Sequence, residues 1–455
     1  MKKLIIILAA AAMAGCGIYK PYTRPEEIKT DGLYGQGVET VDTMTLGNIS
    51  WQEMFTDPYL QQLIQQGLDN NTDLQSAYWR VKEAEATLKS ARLAYLPSFN
   101  FAPNGGVSSL TNPWNATWTY TVPVTASWEV DIFGKLTNSK RRAKALLAQS
   151  QEYQQAVRTQ VIASVANLYY TLLMLDAQYE ISSETAEKWF ETVNTMRAMK
   201  EAGMTNEAAV SQAEANYYSI ETSLFDLEYQ IREMENSLSS LLGEAPRSFE
   251  RGTLDEQILP ENLVVGIPAQ MLSNRPDVKA AEMALANTYY NTNSARAAFY
   301  PQITISGSAG WTNSAGSMIV NPRKLLASAL GSLTQPLFYR GSNIARLKIA
   351  KAQQEEAKLA FQQSLLNAGS EVSNALSLYQ TTAEKTSARK FQVESAEKGA
   401  EYTKELFKLG TSTYLEVLSA EQSLLSARLS QVSDSFDSMQ AVVSLYRALG
   451  GGRED

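Results

Sequence analysis

The sequence contains no histidine and a single cysteine in 455 residues. Without histidine, the commonest general base and the commonest metal ligand are missing. With only Cys16, no disulfide can form within the chain. There is no Gly-rich phosphate loop of the Walker type and no evident nucleophile motif, so the chain reads neither as an enzyme nor as its own energy source. Nothing calls for a cofactor or a bound metal. The formal charge of −8 comes without a basic patch, which argues against nucleic acid as a partner. No stretch beyond the N-terminus reaches about 18 uninterrupted apolar residues, so no transmembrane helix is expected. Crossing a membrane as a β-barrel stays open. Proline is absent from 124–245 and after 336. Those stretches are rich in Ala, Gln, Glu and Leu, which are good helix formers.

The first residues explain the lone cysteine. Lys2 and Lys3 precede an apolar run over 4–12, and Met13-Ala14-Gly15-Cys16 supplies a small-residue cleavage site. Residues 1–15 read as a secretory signal peptide. Cysteine directly after Ala-Gly resembles a bacterial lipobox and makes Cys16 the expected lipidation site. The alternative is an ordinary signal with a chance cysteine. Cleavage removes two positive charges from the formal −8. Residues 16–56, rich in Gly, Thr and Pro, read as an extended arm.

The rest of the chain is organised around a joint that occurs twice. Ser90-Ala91-Arg92-Leu93-Ala94-Tyr95-Leu96-Pro97 matches Ser294-Ala295-Arg296-Ala297-Ala298-Phe299-Tyr300-Pro301 at a separation of 204 residues. A helical run precedes each copy and alternating sequence comes after it. Proline disfavours helix in the residue before it, so a helix ends at Pro97 and at Pro301. The chain is therefore a duplicated helix–hairpin–helix unit. The expected segments are 57–245 for the first repeat (hairpin about 98–135) and 246–268 for a linker. The second repeat covers 269–450 (hairpin about 302–338), and 451–455 forms a tail.

The strongest strand signal is 114–131. Its even positions are Trp114, Ala116, Trp118, Tyr120, Val122, Val124, Ala126, Trp128 and Val130, and the odd ones are almost all Thr, Ser or acidic. A strand this long exceeds the usual length in soluble sheets and suits a membrane-spanning strand with an interfacial aromatic girdle. A long strand of a soluble sandwich is the alternative. In the second repeat Ile303, Ile305, Gly307, Ala309 and Trp311 alternate, and the return strand over about 325–337 alternates more weakly. Four strands cannot close a barrel, and open edges are not tolerated in lipid. Hairpins in a membrane therefore require several chains to share one barrel.

Residues 138–203 form one candidate helix of roughly 95 Å. Its stripe Val157, Val161, Val165, Leu168, Leu172, Leu175 and Tyr179 has coiled-coil spacing, as do Leu365, Ala368, Val372, Ala375 and Tyr379. Before the first joint, Leu60, Leu63, Ile64, Leu68, Leu74, Tyr78, Val81 and Leu88 form a stripe with a hitch near Asn70-Asn71. The long helices turn at Gly203 and Gly410 and the return helices end at Gly243 and Gly450, each pair 207 apart. Asn274-Arg275-Pro276-Asp277 starts the second repeat, with a structural role expected for Arg275.

Taken in order, these pieces resemble the bacterial outer-membrane efflux channels, the TolC and OprM-like family. The marks are Cys16, the two joints, Trp128-Glu129-Val130-Asp131-Ile132-Phe133-Gly134, Asn274-Arg275-Pro276-Asp277, Gln335-Pro336-Leu337-Phe338 and the stretch from Leu409-Gly410-Thr411 to Leu418. The lipobox looks like the lipoprotein branch that serves drug-efflux pumps. The resemblance implies a mainly α fold with membrane β structure. It implies a homotrimer with a 12-stranded β-barrel, four strands per chain, continuous with a long α-helical periplasmic tube. It also implies a periplasmic adaptor and an inner-membrane transporter, of RND type, as partners, and outer-membrane lipid around the barrel. By the same resemblance Glu416 matches an acidic position of the periplasmic constriction, Ser419 stands where Asp is common, and Tyr414 is near the same gate. A ring of Glu416 carboxylates would attract cations. The competing readings are a solvated carboxylate for Glu416 and helix packing for Tyr414.

The expected function is a passive exit duct for small molecules such as drugs. A duct for secreted proteins and a peripheral coiled-coil lipoprotein spacing two envelope layers are the alternatives. The long alternating strand speaks against the spacer, which needs no lipid-facing hairpin.

Overall fold

The computed structural model describes residues 19–26, 28, 33, 46–108, 117–258, 274–312 and 326–453. The expected signal peptide, Cys16 and part of the expected linker lie outside the described residues. The fold is mainly helical with one small sheet. The first repeat contains α1 (Pro58–Asn70), α2 (Thr72–Leu93), β1 (Ser98–Phe101), β2 (Asn104–Ser108), β3 (Thr117–Val130), α3 (Lys135–Glu201) and α4 (Glu207–Leu241). The second contains α5 (Pro276–Ala297), β4 (Gln302–Thr312), β5 (Leu326–Thr334), α6 (Ser342–Lys408) and α7 (Tyr414–Ala448). Both α3 and α6 have 67 residues, and both α4 and α7 have 35. A 67-residue helix is about 100 Å long.

The chain divides into two compact units, each drawing on both repeats. One contains the sheet, with 79–151 and 279–363 and the start of the arm. All its strand pairs are antiparallel, in the order β1/β2, β3, β4, β5. β1 and β2 pair with β3 in one continuous register, Ser98 opposite Ser127 and Asn104 opposite Thr121. They are one strand interrupted at Ala102 and Pro103. The interruption faces Val122 and Pro123, which gives Pro123 its place: neither proline has an N–H to give the ladder. On its other side Pro123 pairs with Gly310. A Cβ at Gly310 would come 2.3 Å from the Val122 carbonyl oxygen and 2.6 Å from Pro123 Cα. Glycine is required there by close backbone approach.

The register gathers the apolar positions on one face. Phe99 pairs with Ala126, Val124 with Ala309, Trp128 with Ile305, and Val130 with Ile303, which pairs in turn with Leu333. The opposite face carries Thr121, Thr125, Ser127, Glu129, Thr304, Ser306 and Ser308, with partners Ser328 and Ser332. Leu330, opposite Ser306, breaks the polar face and explains the weaker alternation of β5. Phe99, Phe101, Val107, Val124, Trp128, Ile305 and Leu333 are all exposed in the single chain.

The other unit contains 30–78, 152–278 and 364–455. Val161, Val165, Leu172 and Leu175 are buried, and so are Ile162, Ala166, Tyr169 and Leu173. The buried face of α3 is thus wider than one coiled-coil seam. Leu365, Ala368, Val372 and Ala375 are also buried. The expected hitch is real: α1 ends at Asn70 and α2 begins at Thr72. Tyr78 is exposed, contrary to its placement in the stripe. Ala77, three residues after Leu74, occupies the buried position instead because three-residue steps keep to the same helix face.

Candidate functional site

The two helical turns are built alike. Gly203 and Gly410 have φ of +72° and +74°, a conformation that favours glycine. Met204 N donates to Met199 O at 2.8 Å, and Thr411 N to Leu406 O at 3.0 Å. These six-to-one bonds close helices α3 and α6 as Schellman motifs. The return helices start with matched caps. Asn206 Oδ1 accepts from Ala209 N at 3.1 Å. At the equivalent position, Thr413 accepts from Glu416 N in a capping box.

Glu416 completes that box. Its Oε2 accepts from Thr413 N at 2.7 Å and from the Ser412 hydroxyl. The Ser412 bond, then the Thr413 bonds, hold its carboxyl below the ordinary value. Glu416 and Ser419 are both exposed, three residues apart and so neighbours on one face of α7. Tyr414 and Phe407 pack against a buried cluster of Val193, Met196, Val210 and Ala213. Burial pushes the Tyr414 hydroxyl up to about 12, and that hydroxyl has no hydrogen-bond partner. Tyr414 therefore joins the second turn to α3 and α4 of the first repeat. Gln422 Nε2 adds a second tie to Asn216 Oδ1 at 3.1 Å.

The helix–strand joints also correspond. Arg92 lies in the last turn of α2, and Pro97 directly precedes β1. Arg296 lies in the last turn of α5, where it donates to Asn293 Oδ1 at 3.1 Å, and Pro301 directly precedes β4. Each joint is stapled by a side chain from the return strand's end. Trp128 Nε1 donates to Tyr95 O at 2.9 Å, and Gln335 Nε2 to Phe299 O at 2.9 Å. The donors are 207 residues apart and the acceptors 204, so one backbone carbonyl is satisfied alike in both repeats.

Arg275 has the structural role expected of it. It donates to Asp277, to Glu371 at 2.8 Å and to Ala448 O at 3.0 Å. Its first-repeat counterpart, Asn71, donates to Leu241 O at 2.9 Å. In each repeat the residue at the helix break ties down the end of the return helix.

Long-range polar ties were not legible in the sequence. Arg251 donates to Asp176 and Glu235. Asp57 accepts from the Tyr169 hydroxyl at 2.6 Å while capping α1. Together these fix residues 247–257 against the helices. Arg24 of the arm makes a bidentate pair with Glu282 at 2.9 and 2.7 Å. Among the described residues no group of His, Cys, Asp and Glu is arranged to hold a metal, and no helix is long and apolar enough to cross a membrane.

The sequence matches the outer membrane efflux protein family over residues 63–244 and 267–451, one match per repeat. The chain belongs to this family. It is a family of transport channels, not of enzymes. CusC of Escherichia coli O6:H1, a cation efflux system protein, is 28% identical over 459 residues, covering 99% of this chain and 98% of CusC. A solved CusC structure has a TM-score of 0.87 with 28% identity, covering 96% of this chain and 100% of that one. TtgC of Pseudomonas putida, a toluene efflux pump outer membrane protein, is 28% identical across 99% of this chain and 96% of its own length. SilC of Salmonella typhimurium, a probable outer membrane lipoprotein, is 27% identical across 99% and 98%. This family member is thus an outer-membrane efflux protein built on the channel fold.

Proposed function

We propose that three copies of this chain share one twelve-stranded barrel and form the exit duct of a tripartite efflux assembly. The observation that carries this reading is the sheet. It has one apolar and one polar face, and among the described residues it ends on two unpaired edges, β5 and the β1–β2 strand. Unpaired edges cannot remain open in hydrocarbon, and four strands per chain reach the size of a barrel only when copies combine. The number three comes from the family resemblance. A periplasmic adaptor and an inner-membrane transporter of RND type would drive and open the duct.

The cargo is small molecules such as drugs. The names of CusC and TtgC, cations in one case and toluene in the other, fit a duct whose selectivity resides in the partner transporter. Residues 1–15 serve as signal peptide and Cys16 carries the lipid. Tyr19 packs beside Gly134, just past the end of β3. Cys16 precedes Tyr19 by three residues, about 10 Å of extended chain. A lipid there is within reach of the strand ends, and the name of SilC agrees with such an anchor.

In this reading Glu416 plays two parts, capping α7 and lining the gate, with Ser419 beside it and Tyr414 holding the turn. The test is single-channel conductance and copy number of the purified protein in mild detergent. Glutamine also serves in a capping box, so Glu416→Gln should keep the fold and lower cation preference. A monomeric mass would sink the duct. An unchanged ion preference in Glu416→Gln would remove Glu416 from the gate.

A further inference from the structure

Where α7 runs beside α3 and α4, the helices leave a cavity of about 420 Å³ between them. Protein interiors hold few voids much larger than a water molecule, whereas small-molecule sites measure about 300–1,000 Å³. The sequence of α7 explains the gap. Gln422, Leu425, Ser426, Leu429, Ser430 and Ser433 line it, at steps of 3, 1, 3, 1 and 3, which keep to one helix face. A helix packed into a bundle presents an apolar stripe on such a face, but half of these positions are serine. Trp189 of α3 and Ile220 of α4 also line the cavity. Trp189 is only 5% exposed, while Gln422 and Ser426 are exposed. The cavity thus runs from a polar mouth to an apolar floor.

Among the described residues no charged side chain lines it. The second repeat shows that the fold does not dictate this. At the offset of 207, Gln178 of the cavity wall corresponds to Lys385, and Trp189 to Ala396. Lys385 pairs with the buried Asp434, whereas Gln178 Nε2 donates to Ser433 Oγ at 3.3 Å. Ser433 donates in turn to Leu429 O at 3.2 Å. Asn216, on the α4 wall, is less well provided for. Its Oδ1 accepts from Gln422 Nε2, but its Nδ2 is buried and has no hydrogen-bond partner among the described residues. A buried donor without an acceptor costs free energy, so the wall calls for an acceptor. An ion would find no partner there, and burying an unpaired ion costs far more than burying a neutral polar group.

We propose that this cavity binds a small uncharged molecule, an aromatic body bearing a ketone, ester or amide carbonyl. The carbonyl oxygen accepts from Asn216 Nδ2, and the ring rests against Trp189 and Ile220, aromatic pairs being favoured beyond their buried area. Such a molecule fills the gap between α7 and the α3–α4 pair, beside the Asn216–Gln422 tie. Gln422 is six residues past Glu416 on α7, about 9 Å along the helix. The ligand therefore braces the helix that leads away from the second turn. This goes beyond the duct reading and does not depend on it, because every lining residue belongs to one chain.

The test uses benzophenone, an uncharged aromatic ketone that bonds covalently to nearby C–H groups when irradiated. The full-length protein is irradiated with it in lipid nanodiscs, and tandem mass spectrometry locates the label. Labelling should saturate and fall within 216–220 and 422–433, the α4 and α7 walls. Diphenylmethane has nearly the same shape without the carbonyl oxygen. It should compete about tenfold more weakly than benzophenone binds, because it leaves Asn216 unpaired. The carboxylate-bearing para-benzoylbenzoate should label these segments several-fold less. Ser430→Leu fills the cavity and should abolish labelling there, with its copy number and melting compared with the parent. Asn216→Leu should erase the difference between benzophenone and diphenylmethane. Labelling that does not saturate, that scatters along the helices, or that persists in a folded Ser430→Leu overturns the site. Equal affinity for benzophenone and diphenylmethane in the parent, a comparison that needs no variant, overturns the acceptor chemistry assigned to Asn216. Equal labelling by para-benzoylbenzoate overturns the preference for an uncharged ligand. A monomeric mass removes the duct but leaves all of these expectations in place, so the two readings fail separately.

Discussion

Replacing Arg275 separates two of its jobs, because the first repeat shows how an uncharged residue does one of them. The Arg275 side chain is only 6% exposed, while Asp277 and Glu371 are 48% and 41% exposed. Removing one member of a buried pair costs about 3–5 kcal/mol. Here both carboxylates regain water, which brings the loss for Arg275→Met to about 2–3 kcal/mol. About 1 kcal/mol or more of that comes from the Ala448 carbonyl left without its donor. Arg275→Asn installs the residue found at position 71, which reaches the equivalent carbonyl at 2.9 Å. It gives up the ion pairs and keeps the tie, so its cost should be about 1 kcal/mol. The assay is thermal unfolding in mild detergent, monitored by far-UV circular dichroism at one scan rate. Arg275→Met should melt several degrees below the parent and Arg275→Asn should fall between them. If the two variants melt together, the idea that the repeats share one carbonyl tie is wrong. If neither shifts, the Arg275 cluster adds nothing to stability.

The glycine turns and the buried Asp434 give further expectations. A Cβ at Gly450 would come 2.4 Å from the Asn274 carbonyl oxygen, whereas nothing lies within 4 Å of one at Gly410. Gly410→Ala should therefore cost only the left-handed strain, about 1 kcal/mol, and Gly450→Ala clearly more in the same melting assay. Asp434 accepts from Arg389 at 2.7 Å and pairs with Lys385. Burial alone would raise its carboxyl, but these cations outweigh burial and hold it below the ordinary value. A depressed folded-state pKa gives stability that is present above the ordinary carboxyl value and lost as pH falls through the folded value, that is, below about pH 4. Melting measured from neutral to acid should show a larger loss in the parent than in Asp434→Leu, which copies Leu227 of the first repeat. Lys385→Met with Arg389→Met should destabilise by about 3 kcal/mol at neutral pH, because it leaves the carboxylate buried and unpaired.

Features with a local period were legible in the sequence. The break beside Asn71, the ends of α3 and the two faces of β3 all depend on spacing within a few turns or a few strand residues. The interruption at Ala102 and Pro103 was not legible, because it depends on Pro123 across the ladder. The Arg24–Glu282 pair was equally hidden, since its partners are 258 residues apart and no spacing rule links them. Glu416 is a different case. Thr413-Tyr414-Leu415-Glu416 spells a capping box in the sequence, so its cap was legible from four adjacent residues, whereas a place in a pore depends on copies of the chain coming together.

Comparison of the repeats separates what the fold needs from what the second copy of the unit adds. Both repeats keep a glycine at each helix turn, a side-chain donor on the same joint carbonyl, and a side-chain donor on the same terminal carbonyl of the return helix. The donors change from Trp128 to Gln335 and from Asn71 to Arg275, while the acceptors stay fixed. Selection on the fold thus acts on the backbone groups that must be satisfied, and several side chains meet the same need. The exchange of Asp131 for Phe338 does not fit that pattern. It gives up a cap and leaves an aromatic ring exposed beside a strand edge that is unpaired among the described residues. Within a single chain that exchange only costs stability. It gains a purpose if the edge of β5 is where another copy arrives, as the shared barrel proposed above requires.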